Sequence, residues 1–123
     1  MHEYSLMNKI VESVIEEANR RKAKSVSEVH IVIGELAFVG EEQARMWFNL
    51  LKENTILKRA KLFIEQEKGK VRCPNCNYEG SIKNLDVADH HAAFPAIGCP
   101  KCGSPVEIIS GKDCIVKTVK LTV

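Results

Sequence analysis

Cys73-Pro74-Asn75-Cys76 and Cys99-Pro100-Lys101-Cys102, with 22 residues between them, decide how the second half of this chain folds. Each Cys-Pro-X-Cys knuckle sets two sulfurs on one tight turn, and the proline after the first cysteine fixes φ there. Two such turns facing each other build a tetrahedral four-thiolate site of the kind that suits Zn2+. The loop is slightly longer than the usual ~15–20 residues. The competing readings are two disulfides or a redox-active Cys-X-X-Cys. A redox protein uses one such motif in a βαβ setting, not two that face each other. A closed four-cysteine site has no open coordination position, so it is structural, and the function must come from elsewhere.

The flanking sequence reads as a small α/β unit. Leu6, Ile10, Val14 and Ala18, widened by Met7, Val11 and Ile15, make the apolar stripe of a helix over residues 3–21. Glu3 and the basic Arg20-Arg21-Lys22 match the two ends of the helix dipole. Val29, Ile31 and Ile33 alternate along a strand over 28–36, with His30 and Val32 on the other face. Gly34 there marks a bulge or a close backbone approach. After Gly40, Ala44, Trp47, Phe48 and Leu51 define a second helix, with Trp47 as its core anchor. Leu62 and Ile64 alternate in a strand over 61–67.

From Cys73 to about Gly111 the periodic pattern fades, with short strands expected near Ser81-Ile82-Lys83 and Val106–Ile109. The last strand, 114–123, is expected to turn Val119, Leu121 and Val123 to one face and Cys114 and Val116 to the other. Cys114 reads as a small buried hydrophobe, not a fifth ligand. The expected fold class is α/β (α+β): two helices on a small three-stranded sheet, with an inserted zinc-ribbon-like four-cysteine module. The domain bounds read as 1–69 plus 112–123 for the α/β unit and 70–111 for the zinc unit.

Composition narrows the function. The chain has 123 residues, 18 Lys+Arg against 16 Asp+Glu, and a net charge of +2, too small to argue for nucleic acid or a membrane surface. No signal peptide or membrane-length apolar run is read in it. Paired cysteines therefore read as metal ligands in a reducing cytoplasm. No Gly-rich phosphate loop, nucleophile or open metal site suggests an enzyme.

What remains is Met1-His2-Glu3. The α-amine of Met1, the amide nitrogens of His2 and Glu3, and His2 Nδ1 can surround one ion in a plane of four nitrogens. Such a plane favours Ni2+ or Cu2+ over Zn2+. A second-position histidine on a frayed terminus usually does nothing, but here a helix starts at once and tethers it. His90-His91, in the loop between the knuckles, is either solvated or a source of an additional ligand, as imidazole suits nickel and zinc alike.

Met1-His2-Glu3, the first helix, Val32-Ile33-Gly34-Glu35-Leu36, the 41–51 helix and the two knuckles occur together in this order. In that combination the chain closely resembles the hydrogenase maturation nickel metallochaperones of the HypA/HybF family, over essentially its whole length. The resemblance implies a nickel-binding α/β domain and a separate structural zinc domain. It implies His2 as the essential nickel ligand, with the Met1 amine and the His2 and Glu3 amides as companions. It implies zinc on Cys73, Cys76, Cys99 and Cys102, and no catalysis. The implied partners are the GTPase HypB and the large subunit of nickel-iron hydrogenase, met by a monomer or a homodimer. In some archaeal relatives a loop histidine joins the nickel site, which makes His90 or His91 the candidate extra ligand here. The alternatives from the residues alone are a zinc-ribbon module that binds nucleic acid or protein. The first predicts a basic face with stacking aromatics, while Tyr78 and Phe94 are the only aromatics between Lys70 and Gly111.

Overall fold

The computed structural model describes residues 2–81 and 98–123, with His2 described by its backbone alone. Met1, His90 and His91 therefore lie outside the described residues, as does most of the short strand expected at Ser81-Ile82-Lys83.

Helix α1 spans His2–Arg20. Its stripe is buried as the spacing requires, with Met7, Ile10, Val11, Val14 and Ala18 all at 6% exposure or less. Strand β1 (Ser25–Gly34) follows, then a 3-10 turn at Glu35–Ala37 and helix α2 (Glu41–Leu51). Strand β2 (Lys61–Glu67) returns parallel to β1, with Val29 opposite Leu62 and Ile31 opposite Ile64. The chain next forms β3 (Lys70–Arg72), β4 (Glu79–Gly80) and β5 (Glu107–Ser110), and then comes back as β6 (Cys114–Thr122), antiparallel to β1. The sheet order is β2-β1-β6, and a second sheet has the order β4-β3-β5. This is an α+β fold: two helices packed on a small three-stranded sheet, with the four-cysteine module inserted between β2 and β6.

Two corrections to the sequence reading share one cause. The facing residues of β1 and β6 slip by one at Ser27 and back by one at Lys117, so each strand carries one unpaired extra residue. A single extra residue reverses which face the following side chains take. Val26 and Val29 therefore both point inward, and β1 begins at Ser25, three residues before the alternation alone suggests. In β6 the Lys117 bulge turns Cys114 and Val116 to the same side as Val119 and Leu121, so all four pack on the core. Val123, expected to share that face, is exposed.

Trp47 is the third correction. It packs partly on the core and meets Tyr4 edge-to-face at 4.9 Å between ring centres, whereas Phe48 is fully buried and is the anchor of α2. Phe48→Ala should destabilise the protein by ~3–5 kcal/mol, read by denaturant unfolding. A loss below 1 kcal/mol would contradict that role.

The two sheets meet where backbones touch. A Cβ on Gly34 would overlap the Gly111 carbonyl, so the close approach expected at Gly34 is present. Gly111 has φ +77, and a Cβ there would stand 2.7 Å from Gly69 Cα. The Gly111 carbonyl accepts from Leu36 N–H at 2.7 Å, and Gly34 N–H donates to the Asp113 carbonyl at 2.8 Å. Two carboxylates close the junction: Glu35 accepts from Gly69 N–H and Glu67 from Gly111 N–H, each at 2.9 Å.

Candidate metal sites

The two knuckles have the same backbone written twice. Asn77 N–H donates to the Cys73 carbonyl and Gly103 N–H to the Cys99 carbonyl, both at 2.9 Å. Cys73 N–H and Cys99 N–H each donate onward, to the carbonyls of Tyr78 and Ser104 at 2.8 Å. Both turns close on a left-handed residue, Asn77 at φ 63 and Gly103 at φ 77. Asparagine and glycine are the residues that adopt this conformation at least cost. Strands β3 and β5 carry the knuckles on one sheet, with ion pairs Arg72–Glu107 (3.0 Å) and Lys70–Glu79 (3.2 Å) across its exposed face.

The four sulfurs converge. Cys73 Sγ lies 3.5 Å from Cys102 Sγ, Cys76 Sγ lies 3.6 Å from Cys99 Sγ, and all four fall within 4.8 Å of one another. A tetrahedral zinc with ~2.3 Å bonds sets its sulfurs about 3.8 Å apart, so the cluster has the right size for that ion. None of the five cysteines is in a disulfide, which removes that reading.

The charges agree. Hydrogen bonds from the Ser104 hydroxyl and backbone N–H, with Asn75 Nδ2 beside the sulfur, hold the Cys102 thiol down at about 6. Cys76 goes the other way, to about 12. Its hydrogen bond with the Tyr78 backbone opposes the rise, but burial and the neighbouring thiols of Cys99, Cys102 and Cys73 outweigh it. Four sulfurs this close cannot all ionise alone, whereas a dication makes four thiolates compatible. Asn75, which reaches both Cys102 Sγ (3.8 Å) and Ser104 Oγ (3.2 Å), is a supporting residue that the cysteine pattern did not single out. Its only signal was its place inside the first knuckle. Cys114 stands apart from this cluster, in register with Ile33 on β6, and burial pushes its thiol up.

At the other candidate site, His2 and Glu3 are the first two residues of α1. The Glu3 carboxylate accepts from Gly40 N–H (3.4 Å), the cap of α2. Residues 35–40 thus touch Glu3 at one end and, through Glu35, the junction with the cysteine module at the other. His30 is a cross-strand residue as its position in β1 indicates: Nε2 lies 2.8 Å from Glu28, and the ring stacks on Phe63 at 4.6 Å.

The fold and the cluster define a small α+β protein with a four-cysteine site that fits zinc. The family model for HypA, described as hydrogenase/urease nickel incorporation, metallochaperone, matches residues 1–121, and the chain belongs to that family. Similar curated proteins include the hydrogenase maturation factor HypA of Methanothermobacter thermautotrophicus, 37% identical over 98% of this chain and 97% of the relative. That of Aquifex aeolicus is 35% identical over 100% of this chain and 99% of the relative. The solution structure of the Ni metallochaperone HypA from Helicobacter pylori superposes with a TM-score of 0.67 at 23% identity, covering 98% and 97% of the two chains, a likeness of fold. As a member, the chain is a nickel metallochaperone of hydrogenase maturation, with nickel as its cargo and a four-cysteine site compatible with zinc.

Proposed function

We propose that this chaperone carries Ni2+ on its first three residues. The ligands are the Met1 amine, the amide nitrogens of His2 and Glu3, and His2 Nδ1, in one plane. The observation that carries this reading is the start of α1 at His2. The first N–H groups of a helix have no acceptor in a preceding turn. Removing the amide protons of His2 and Glu3 therefore breaks no helical hydrogen bond. The positive end of the helix dipole also favours the negative charge left on those nitrogens. Two deprotonated amides balance one Ni2+, and reprotonating either one opens the plane for release.

Zinc on Cys73, Cys76, Cys99 and Cys102 holds the module of residues 70–111, while 1–69 with 112–123 forms the nickel-binding domain. His90 or His91 is the candidate extra nickel ligand. The chaperone hands nickel to the large subunit of nickel-iron hydrogenase together with the GTPase HypB, in the cytoplasm and without catalysis of its own. The reducing setting accords with five unbridged cysteines, and no helix among the described residues is long and apolar enough to cross a membrane.

The test is the pH dependence of nickel affinity. Each ion displaces at least two amide protons, so apparent affinity should fall about a hundredfold for each pH unit lowered. Competition titrations between pH 6.5 and 8.5 read this directly. A slope of one proton or less is what imidazole alone would give, and it would move the nickel to His90 or His91.

A further inference from the structure

Strand β2 is an outer strand of its sheet, and a groove of about 350 Å3 runs beside it, bounded on the far side by α2. The backbone groups on an outer edge are a template for another strand unless something covers them. Here two side chains do. Arg45 Nη1 donates to the Leu62 carbonyl and Lys52 Nζ to the Ala60 carbonyl, each at 2.9 Å. Those carbonyls are two residues apart, the spacing at which one edge of a strand repeats.

The cover is cationic beyond what edge protection needs. Arg45, Lys52 and Lys61 all line the groove, beside the polar Asn49. The carboxylate paired with one of these cations is Glu41, 3.8 Å from Arg45. The C-terminal end of α2 supplies roughly half a negative charge next to Lys52. The Lys61 side chain has no hydrogen bond or ion pair among the described residues. Positive charge is thus in excess along an edge whose carbonyls are held by side chains that can let go.

We propose that this groove binds an extended acidic segment of a partner protein as a fourth strand on β2. The segment's N–H groups take the Ala60 and Leu62 carbonyls. Arg45 and Lys52, released from them, turn to carboxylates on alternate residues of the segment. Lys61 and Phe63 are exposed on β2 at neighbouring odd positions, so they meet the intervening residues of the segment, which are apolar beside the Phe63 ring. Main-chain pairing supplies affinity and the cations supply the choice of partner. This surface is distinct from the metal sites, so its test leaves the nickel reading untouched.

The experiment is a 15N NMR titration of the zinc-loaded full chain with a capped hexapeptide that alternates glutamate and valine. Amide shifts should concentrate at residues 60–64, and a lysine-for-glutamate peptide should produce none. Lys61→Glu, which removes no structural contact, should weaken binding about tenfold, and Lys52→Glu at least as much. A peptide N-methylated at alternate residues should lose binding, because it cannot donate to the edge. Equal binding of the N-methylated peptide, or no binding of the parent, would overturn the proposal. So would a polyphosphate or oligonucleotide that shifts the same amides when the peptide does not.

Discussion

On the proposed site, His2→Ala should abolish nickel transfer while leaving the protein folded. In the proposed site the imidazole is one of four ligands, and without it the two amide nitrogens would have no neighbouring ring to anchor their deprotonation. Ni2+ prefers the planar nitrogen set by geometry, so losing one corner costs selectivity as well as strength. Loss of a ligand or its support typically lowers metal affinity at least 10–100-fold, and here the loss should exceed about 100-fold. The fold should not notice. The buried cluster begins at Met7, one and a half turns along α1, and the first-turn contacts run through Glu3 and Tyr4. The readouts are nickel titration of the variant, its melting temperature, and hydrogenase activity in cells that depend on it. Wild-type activity with alanine at position 2 would remove the N-terminal site from the account.

Stripping zinc should melt one part of the molecule and spare the rest. Of the residues from 70 to 111 that are described, Val71, Cys73 and Cys99 are the buried apolar ones, too few to hold a fold. The main core draws on α1, α2, β1, β2 and β6 and on none of the residues 70–111. Zinc contributes ~10–16 kcal/mol to modules of this kind, so chelation or Cys73→Ser should unfold 70–111 outright. Amide resonances of β3, β4 and β5 should collapse toward random-coil positions, and those of α1, α2 and β1 should stay. Because the ligands must be thiolates, chelation should succeed more readily as pH falls. Cooperative loss of every resonance would contradict the division into two units.

The sequence reached the architecture because the pattern that carries it is local. Leu62 and Ile64 mark β2 within its observed bounds, the α1 stripe predicts which residues are buried, and the two Cys-Pro-X-Cys knuckles mark two tight turns. It failed where one residue changed parity. Nothing in Lys117 or Ser27 says that it will stand unpaired, yet each reverses the faces around it. Trp47 misled because ring size argues for burial, while its helical position leaves it against Tyr4 at the margin of the core. Glu35 and Glu67, which hold the glycines of the junction, were illegible as well. Their partners lie 34 and 44 residues away in the chain, and a carboxylate facing a backbone N–H leaves no spacing to read. At the candidate metal sites, cysteine spacing points straight to the four sulfurs that converge, whereas a planar amine-amide site would be written mostly in backbone.

A planar backbone site for nickel stands or falls with the position of the free amine. Zinc-loaded protein beginning at Met1 is titrated with Ni2+ beside the same chain carrying one extra residue before Met1, each followed by absorption spectroscopy. The first should form a stoichiometric, yellow, diamagnetic complex and the second should not, since the added residue carries the amine away from His2. Equal complexes in both would contradict the planar site and place nickel on side chains instead.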